Sequence, residues 1–271
     1  MLRISFSRSF ARAMLLGAVV ISSVTLAEAA FINPNLPGTT QFDAWSTADI
    51  SSGANPGFPS FPGSGAWPNS VQSGTPSSGS PVSGDATITK TANGSGGGPY
   101  VGTGSIYFGG FSATPNSLGG SIAVNDATPV TGLANIVLQV DIAEAFGYDF
   151  QDHALPKLNY NGGSQVLAPV SGIVREQTFL GTFDSPEGPQ PIYQNSYLIQ
   201  WDVTGLGITS FNLAIKGVQH SQIYALQLDQ SNLFAPVPEP TTLSLAALGT
   251  IGLFGVYRRV RNKNRPVNEA I

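Results

Sequence analysis

Apolar and polar side chains alternate along much of the chain between Asp85 and Asp229, and this alternation constrains the fold more than any other feature. In IVLQVDI, at residues 136–142, an Ile, Leu or Val stands at every second position, and Gln139 and Asp141 point the other way. A period of two residues is typical of a strand with one buried and one solvent-facing side. The segment is therefore predicted to be a half-buried strand.

Similar segments recur along this part of the chain, separated by turn-forming residues. SYLIQWDV, at 196–203, alternates Tyr, Ile, Trp and Val inward, and QIYALQLDQ, at 222–230, alternates inward from Tyr224. Asn161-Gly162 predicts a hairpin turn, because both residue types tolerate positive φ. Helical periodicity is nearly absent. The predicted strands lie at residues 85–91, 105–111, 136–142, 157–167, 177–183, 196–203, 210–218 and 222–230.

This pattern predicts an all-β fold, an antiparallel β-sandwich that is jelly-roll-like. The composition agrees, since only 10% of the residues are charged and the 32 glycines and 20 prolines favour turns over long helices. We place the β-sandwich domain at residues 85–235. An N-terminal segment, 30–84, precedes it, with FDAW at 42–45 as a first strand and a Ser-, Gly- and Pro-rich loop at 51–84.

Three aromatic residues, Phe58, Phe61 and Trp67, stand isolated in that loop. Aromatic faces stack on sugar rings, so these side chains are candidates for glycan contact. A flexible loop would first have to be ordered, which costs binding free energy. The alternative is a loop without a ligand.

Cysteine is absent from the sequence, which excludes disulfides, thiolate metal sites and cysteine nucleophiles. Residues 31–235 contain 13 acidic and 4 basic side chains, a net charge of −9, and the other basic residues lie towards the two ends. Such a body lacks the basic surface that nucleic-acid binding requires. We therefore expect no nucleic-acid partner, and a fold that depends on its apolar core.

The first 29 residues have the organisation of a secretory signal peptide. Three arginines precede an apolar stretch at 13–26, and a small-x-small cleavage site follows from Ala27 to Ala29. We predict cleavage after Ala29, so that the mature chain begins at Ala30. The alternative is an uncleaved anchor helix, although the apolar run is short for a membrane span.

A second apolar segment lies within residues 237–265, where 240–257 carry no charge. We predict a transmembrane helix at about 241–257, which at about 1.5 Å per residue spans roughly 25 Å, slightly less than a bilayer core. Five basic residues follow within eight positions, and the positive-inside rule places them in the cytoplasm and the body outside. The alternative is a core helix of a soluble domain, which the basic cluster disfavours.

Pro238, Glu239 and Pro240 precede the apolar span, and Arg258 and Arg259 follow it. This order resembles the C-terminal sorting signal of PEP-CTERM proteins. The resemblance implies recognition by exosortase, a membrane protease-transferase of bacteria that make exopolysaccharide. It also implies cleavage near Pro-Glu-Pro, followed by release or attachment outside the cell. The tail NRPVNEAI after the basic cluster is longer than that pattern.

The densest polar cluster is EAFGYDFQDHALP, which contains Glu144, Asp149, Asp152 and His153. Carboxylates with a histidine could bind a hard cation such as Ca²⁺. The spacing matches neither an EF-hand nor a calcium-binding repeat. Asp149 and Asp152 are therefore weak candidate metal ligands, and the alternative is a solvated loop of an acidic domain.

No catalytic residue is predicted. A glycosidase needs two carboxylates across a cleft, and the sequence offers Asp141, Glu144, Asp184, Glu187 and Asp202 without pairing them. The chain has two histidines and no G-x-S-x-G elbow for a serine nucleophile. No cofactor is predicted either, since the glycine-rich GSGGGP lacks the Lys-Ser/Thr of a phosphate loop.

The sequence as a whole indicates a non-enzymatic exported protein, delivered to the cell surface or the exopolysaccharide matrix, with a structural or adhesive role. The first alternative is a carbohydrate-binding module, with or without calcium, for the producer's own polysaccharide. The second is a secreted polysaccharide-active enzyme. A row of exposed aromatic side chains would favour the binding module, and two carboxylates about 5–9.5 Å apart in a groove would favour the enzyme.

Overall fold

The computed structural model describes residues 31–51, 67, 70–74, 83–102, 104–110, 114–185 and 188–237. The predicted signal peptide, the predicted transmembrane helix at about 241–257 and the sorting residues from Pro238 onward lie outside these ranges. Within them, no helix has the length and apolar character needed to cross a membrane.

The described residues form twelve β-strands, one short α-helix and one 3-10 turn, so the prediction of an all-β fold is confirmed. In chain order these are β1 (Thr40–Trp45), α1 (Thr47–Ser51), β2 (Val71–Gln72), β3 (Thr87–Asn93), β4 (Tyr100–Val101), β5 (Ile106–Tyr107), β6 (Leu118–Asp126), β7 (Asn135–Ala143), the 3-10 turn (Gln151–His153), β8 (Lys157–Tyr160), β9 (Ser171–Ser185), β10 (Gly188–Asp202), β11 (Phe211–Val218) and β12 (Gln222–Ser231).

The strands pair into two antiparallel sheets. One has seven strands in the order β4-β5-β12-β7-β10-β9, and β1 also pairs with β12. The other has five strands in the order β2-β3-β6-β11-β8. Most neighbours in the sheets are distant in the sequence, since the last strand, β12, lies between β7 and the first strand, β1.

A hydrophobic core takes side chains from both sheets. In the seven-stranded sheet, Ile136 and Leu138 of β7, Trp201 of β10 and Trp45 of β1 are fully buried, and Leu213 of β11 meets them from the five-stranded sheet. The apolar positions of β7 that alternation placed inward are therefore confirmed as core. The core is also the main source of stability for a chain without cysteine.

The expectation that β7 is half-buried was wrong, because Gln139 and Asp141 have no exposed surface. They do point away from the core, as the period of two requires. That face of the sheet is covered, however, since the backbone of Ile32 is hydrogen-bonded to Gln139. Alternation locates the polar face of a strand but does not establish that water reaches it.

The predicted inward position of Tyr224 was also wrong. The pairing of β12 with β7 shifts register between Ile223 and Ala225, so Tyr224 is the extra residue of a β-bulge. A bulge interrupts the alternation of faces. As a result Ile223, not Tyr224, belongs to the core together with Leu226.

The turn predicted at Asn161-Gly162 is confirmed. Both residues have positive φ, 50° and 68°, and the Gly163 N–H donates to the Tyr160 carbonyl at 2.9 Å. The chain then returns beside β8 only through an isolated bridge between Leu158 and Leu167, so the predicted strand at 157–167 is a short strand and a loop.

The N-terminal segment contributes two strands to the body. FDAW belongs to β1, as predicted, and β2 pairs with β3. Trp67 packs against the core and its Nε1–H donates to the Pro99 carbonyl at 3.0 Å. The Trp67 ring therefore takes part in the fold and is half-buried, and its contact with a glycan stays a prediction. Phe58 and Phe61 lie outside the described residues.

Candidate functional site

The side of the seven-stranded sheet that faces away from the core carries an unusual set of polar side chains. Each of them is at most 7% exposed. We call this set the polar layer; it comprises Asn135, Gln139 and Asp141 of β7, Gln194, Ser196 and Gln200 of β10, and Gln227 and Asp229 of β12. Buried polar groups require hydrogen-bond partners, and the layer finds them within itself and in the two ends of the described chain.

One of these ends, residues 31–36, which we call the N-terminal strap, lies over β7 and β12. The Ile32 N–H donates to Gln139 Oε1 at 3.1 Å, and Gln139 Nε2 donates back to the Ile32 carbonyl at 2.8 Å. Gln227 Nε2 donates to the same carbonyl at 3.3 Å. The side-chain amides thus hold a backbone segment that has no strand partner of its own.

A pocket of about 480 Å³ opens between the N-terminal strap, β1 and β12. Phe42 lies opposite Asp229 in the register of β1 and β12, so both side chains are on the same face and line the pocket together. The other lining residues are Asn33, Pro34, Asn35, Leu36, Thr40, Gln41, Ser83, Gln227 and Gln230.

A second cavity, of about 780 Å³, shares Thr40, Gln41 and Ser83 with the pocket. The two concave regions therefore adjoin each other at β1.

Asp229 dominates the electrostatics of the pocket. Burial raises the pKa of its carboxyl from 3.8 to about 7, although hydrogen bonds from Gln227 and Gln139 lower that pKa in part. The negative charge of Asp43 raises the pKa further. Near neutral pH the carboxyl is therefore present in both forms, and it can donate or accept a hydrogen bond.

Gln227 places a second polar group in the pocket lining. Its Nε2 donates to Asp229 Oδ2 at 2.9 Å. Its Oε1 is buried and has no hydrogen-bond partner among the residues that the structure describes. An unpaired buried acceptor is costly.

The lining of the pocket is therefore mostly polar and uncharged. Asp229 contributes its carboxyl group, and Phe42 contributes an apolar ring beside it. Among the described residues that line it, Asp229 is the only carboxylate. Acid–base hydrolysis of a glycosidic bond uses two, so the lining fits binding better than cleavage.

The acids predicted as weak metal ligands lie in separate interactions. Asp149 accepts hydrogen bonds from Asn195 Nδ2, at 3.0 and 2.9 Å, and from the Tyr197 hydroxyl at 2.7 Å, and burial raises the pKa of its carboxyl. Asp152 instead exchanges two hydrogen bonds with Asn116, both of 2.7 Å.

The remaining members of that cluster lie near Asp149 but have partners of their own. Burial, and then the charge of Asp149, raises the pKa of the Glu144 carboxyl, and the charge of His153 lowers the pKa of Asp149 in part. Glu144 Oε1 accepts the Tyr193 N–H at 3.3 Å, and the His153 ring stacks on Tyr148 with centroids 4.2 Å apart. Within the described ranges, no group of three or more His, Cys, Asp or Glu is arranged to hold a metal ion. The calcium site at Asp149 and Asp152 stays a prediction without structural support.

Of the carboxylates considered for catalysis, the structure describes the side chains of Asp141, Glu144 and Asp202. Asp141 is buried in the polar layer and accepts hydrogen bonds from Ser196 and from Gln194 Nε2, the latter at 2.9 Å. Asp202 is exposed, as its outward strand position predicted. Glu187 and the side chain of Asp184 lie outside the described parts of the chain.

Asp229 and Gln227 were not singled out from the sequence, because they occupy outward positions of a strand that were expected to face water. The sequence nevertheless contains a sign that this face of the sheet is covered. The outward positions of β7, β10 and β12 contain amides, aspartates, serines and small or apolar residues, but no Lys, Arg or Glu. Long charged side chains are common on solvated strand faces, so their absence indicates a covered face.

Comparison with known proteins supports a function for the end of the chain. The PEP-CTERM protein-sorting motif matches residues 236–261. Neither the curated proteins nor the solved structures gave a match. The chain thus carries the sorting motif that the C-terminal residues resembled, and the motif marks it as an exosortase-targeted, exported surface protein.

Proposed function

We propose that this PEP-CTERM protein is anchored transiently by a C-terminal helix at about 241–257 and then delivered to the cell surface or the exopolysaccharide matrix, where its body has a structural or adhesive role. The match to the sorting motif carries this proposal. The low charge content and the absence of cysteine agree with an extracellular protein that relies on a covered β-rich body.

We further propose that the two sheets face each other as a β-sandwich. The support is the shared core, to which Leu138 and Trp201 of one sheet and Ile122 and Leu213 of the other contribute. Two sheets that bury their apolar faces against each other leave two outer faces. One of these outer faces would be the polar layer, with the N-terminal strap lying on it.

Fractionation of a doubly tagged chain tests the sorting function. One tag follows Phe31 and the other follows Ile271, in hosts with and without exosortase. We expect the extracellular form to lack the residues beyond about 240, as measured by mass spectrometry, and only in the host with exosortase. A full-length chain that stays in the membrane of both hosts would contradict the proposal.

The pocket favours a second candidate function, the binding of a polysaccharide. Phe42, Asp229 and Gln227 bring together an apolar ring face and hydrogen-bonding groups of both kinds, which a sugar requires. A second cavity of about 780 Å³ adjoins the pocket at β1. In this proposal the protein is a binding module and not an enzyme.

Affinity electrophoresis of the body through the producer's own polysaccharide tests this candidate. Phe42→Ala should weaken the binding that causes the retardation by about two- to tenfold, since an aromatic contact contributes about 0.5–1.5 kcal/mol beyond area burial. Phe179→Ala is the matched control, because Phe179 is 57% exposed on β9, away from the pocket. Equal retardation of both variants and the parent protein would exclude the pocket as the binding site.

A further inference from the structure

The residues that lead into the sorting motif are hydrogen-bonded to the folded body. We call residues 233–237 the C-terminal strap. Gln200 Nε2 donates to the Ala235 carbonyl at 2.7 Å, and Asn135 Nδ2 donates to the same oxygen at 3.3 Å. The Val237 N–H donates to Gln200 Oε1 at 3.0 Å. The strap is also held at its start, where the Ser231 hydroxyl donates to the Leu233 carbonyl at 2.7 Å.

Gln200 is the central group of this attachment. Its side chain is 2% exposed, and its Nε2 also donates to Asn135 Oδ1 at 2.8 Å. The orientation of the amide is fixed by these partners, because a flipped amide would place an NH₂ group against the Val237 N–H. The single side chain of Gln200 therefore binds both a carbonyl and an N–H of the C-terminal strap.

The attachment overlaps the sorting motif. The match begins at residue 236, so residues 236–237 belong both to the motif and to the C-terminal strap. The sorting residues from Pro238 to Pro240 follow directly. Three residues reach at most about 10 Å when fully extended. An enzyme that acts near Pro-Glu-Pro must therefore work within about 10 Å of the sheet, unless the strap detaches.

We propose that Gln200 is a clamp that restrains the sorting motif, so that exosortase acts on the folded chain only after the C-terminal strap has left the sheet. This inference rests on the proposed sorting function. A protease binds its substrate as extended backbone, and the strap cannot offer its N–H and C=O groups to the sheet and to the enzyme at once. The rate of processing then scales with the fraction of chains whose strap is detached.

Pulse–chase processing of the full chain in a host with exosortase tests the clamp, with release of a C-terminal tag as the measurement. Gln200→Leu keeps the approximate volume of the side chain and removes its hydrogen bonds to Ala235 and Val237. We expect processing to be about tenfold faster than in the parent chain. An unchanged or slower rate would overturn the clamp.

Gln194→Leu is the matched control. Gln194 lies on the same strand, is 4% exposed and donates to Asp141 Oδ2, but has no contact with the strap among its described hydrogen bonds. The Gln194→Leu variant reports the effect of losing a buried amide from the polar layer without a change in the strap's hydrogen bonds. If Gln194→Leu accelerates processing as much as Gln200→Leu does, general destabilisation is the cause and the clamp is excluded.

An insertion keeps the test independent of any folding defect. Six Gly/Ser residues between Val237 and Pro238 leave every contact of Gln200 in place and add about 20 Å of reach. We expect faster processing, and no additional gain when Gln200→Leu is combined with the insertion. A full additional gain would overturn the clamp. Absence of exosortase-dependent processing in every chain would overturn the sorting function itself, whereas equal rates in all chains would overturn the clamp alone.

Discussion

Three glutamines illustrate how single side chains hold this fold together. Gln139 and Gln227 bind the backbone of Ile32, and Gln200 binds the backbone at Ala235 and Val237. An amide can donate and accept at once, so it can replace the strand partner that a terminal segment lacks. A lysine or threonine at the same positions could not supply both groups at the same reach.

The buried carboxyl of Asp229 should make stability depend on pH. Its pKa is raised from 3.8 to about 7, so the folded state keeps a proton that the unfolded chain loses. Stability should therefore be greatest at acid pH and decline as the pH rises from about 4 to 7. In Asp229→Asn the melting temperature should decline less over this range.

Part of the pH dependence should persist in Asp229→Asn. Asp43, whose pKa is raised to about 6 mainly by burial, contributes with the same sign. Calorimetry of both proteins between pH 4 and 8 measures the difference, and Asp202→Asn, at an exposed position, serves as the control. If the melting temperature depends on pH in the same way in the parent protein and in Asp229→Asn, the raised pKa of Asp229 is contradicted.

Gly217 is a second residue with a definite expected effect. A Cβ at this position would lie 2.3 Å from Cγ of the fully buried Phe108 ring. Gly217→Ala should therefore cost about 1–3 kcal/mol of the free energy of unfolding, measured with urea. The double variant Gly217→Ala/Phe108→Ala should lose less stability than the two single variants lose together, because the new Cβ then no longer meets the ring. Additive losses would show that the ring is not the obstacle.

At the scale of elements, alternation located the strands but not their irregularities. β7, β11 and the inner half of β10 follow the alternation of apolar and polar residue types closely. The bulge at Tyr224 was invisible in the sequence, since no residue type is specific for it. The straps were equally hidden, because side chains bind their backbone and no apolar period marks them.

The hairpin of β9 and β10 extends beyond the sheet. Pairing of β10 with β7 ends at Gln194, so residues 179–185 and 188–193 form a two-stranded arm. Pro189 and Pro191 lie in this part of β10. Proline lacks an N–H, and it is tolerated there because no third strand needs that donor.

The amides of the arm should exchange with solvent much faster than those of the inner half of β10. A two-stranded ribbon is marginally stable by itself, whereas residues 194–202 lie between two strands. Hydrogen-exchange mass spectrometry should show early exchange at Gly181, Phe183 and Ile192 and late exchange at Leu198 and Ile199. Equal protection along the hairpin would mean that something covers the arm.

At the scale of the whole molecule, the body should unfold as one unit. Both sheets contribute to the same core, and the chain has no cysteine that could keep part of it folded. Tryptophan fluorescence, which reports on Trp45, Trp67 and Trp201, and far-ultraviolet circular dichroism should give coincident urea transitions. Two separated transitions would show that the sheets are independent.

The candidate site depends on the whole molecule in the same way. Its pocket joins residues 33–42 to residues 227–230, which meet only because β1 pairs with β12. The sequence predicted both segments as strands or loops, but it contains no signal for their pairing. The sorting motif, in contrast, could be found from the sequence, because it is contiguous and its order of residue types is itself the signal.

Both straps reach the outer face of one strand. Gln139 holds the first and Asn135 the second, four residues apart along β7, or about 13 Å. The described chain therefore begins and ends on the same face of the seven-stranded sheet, so a substitution in β7 can reach both ends of the body at once.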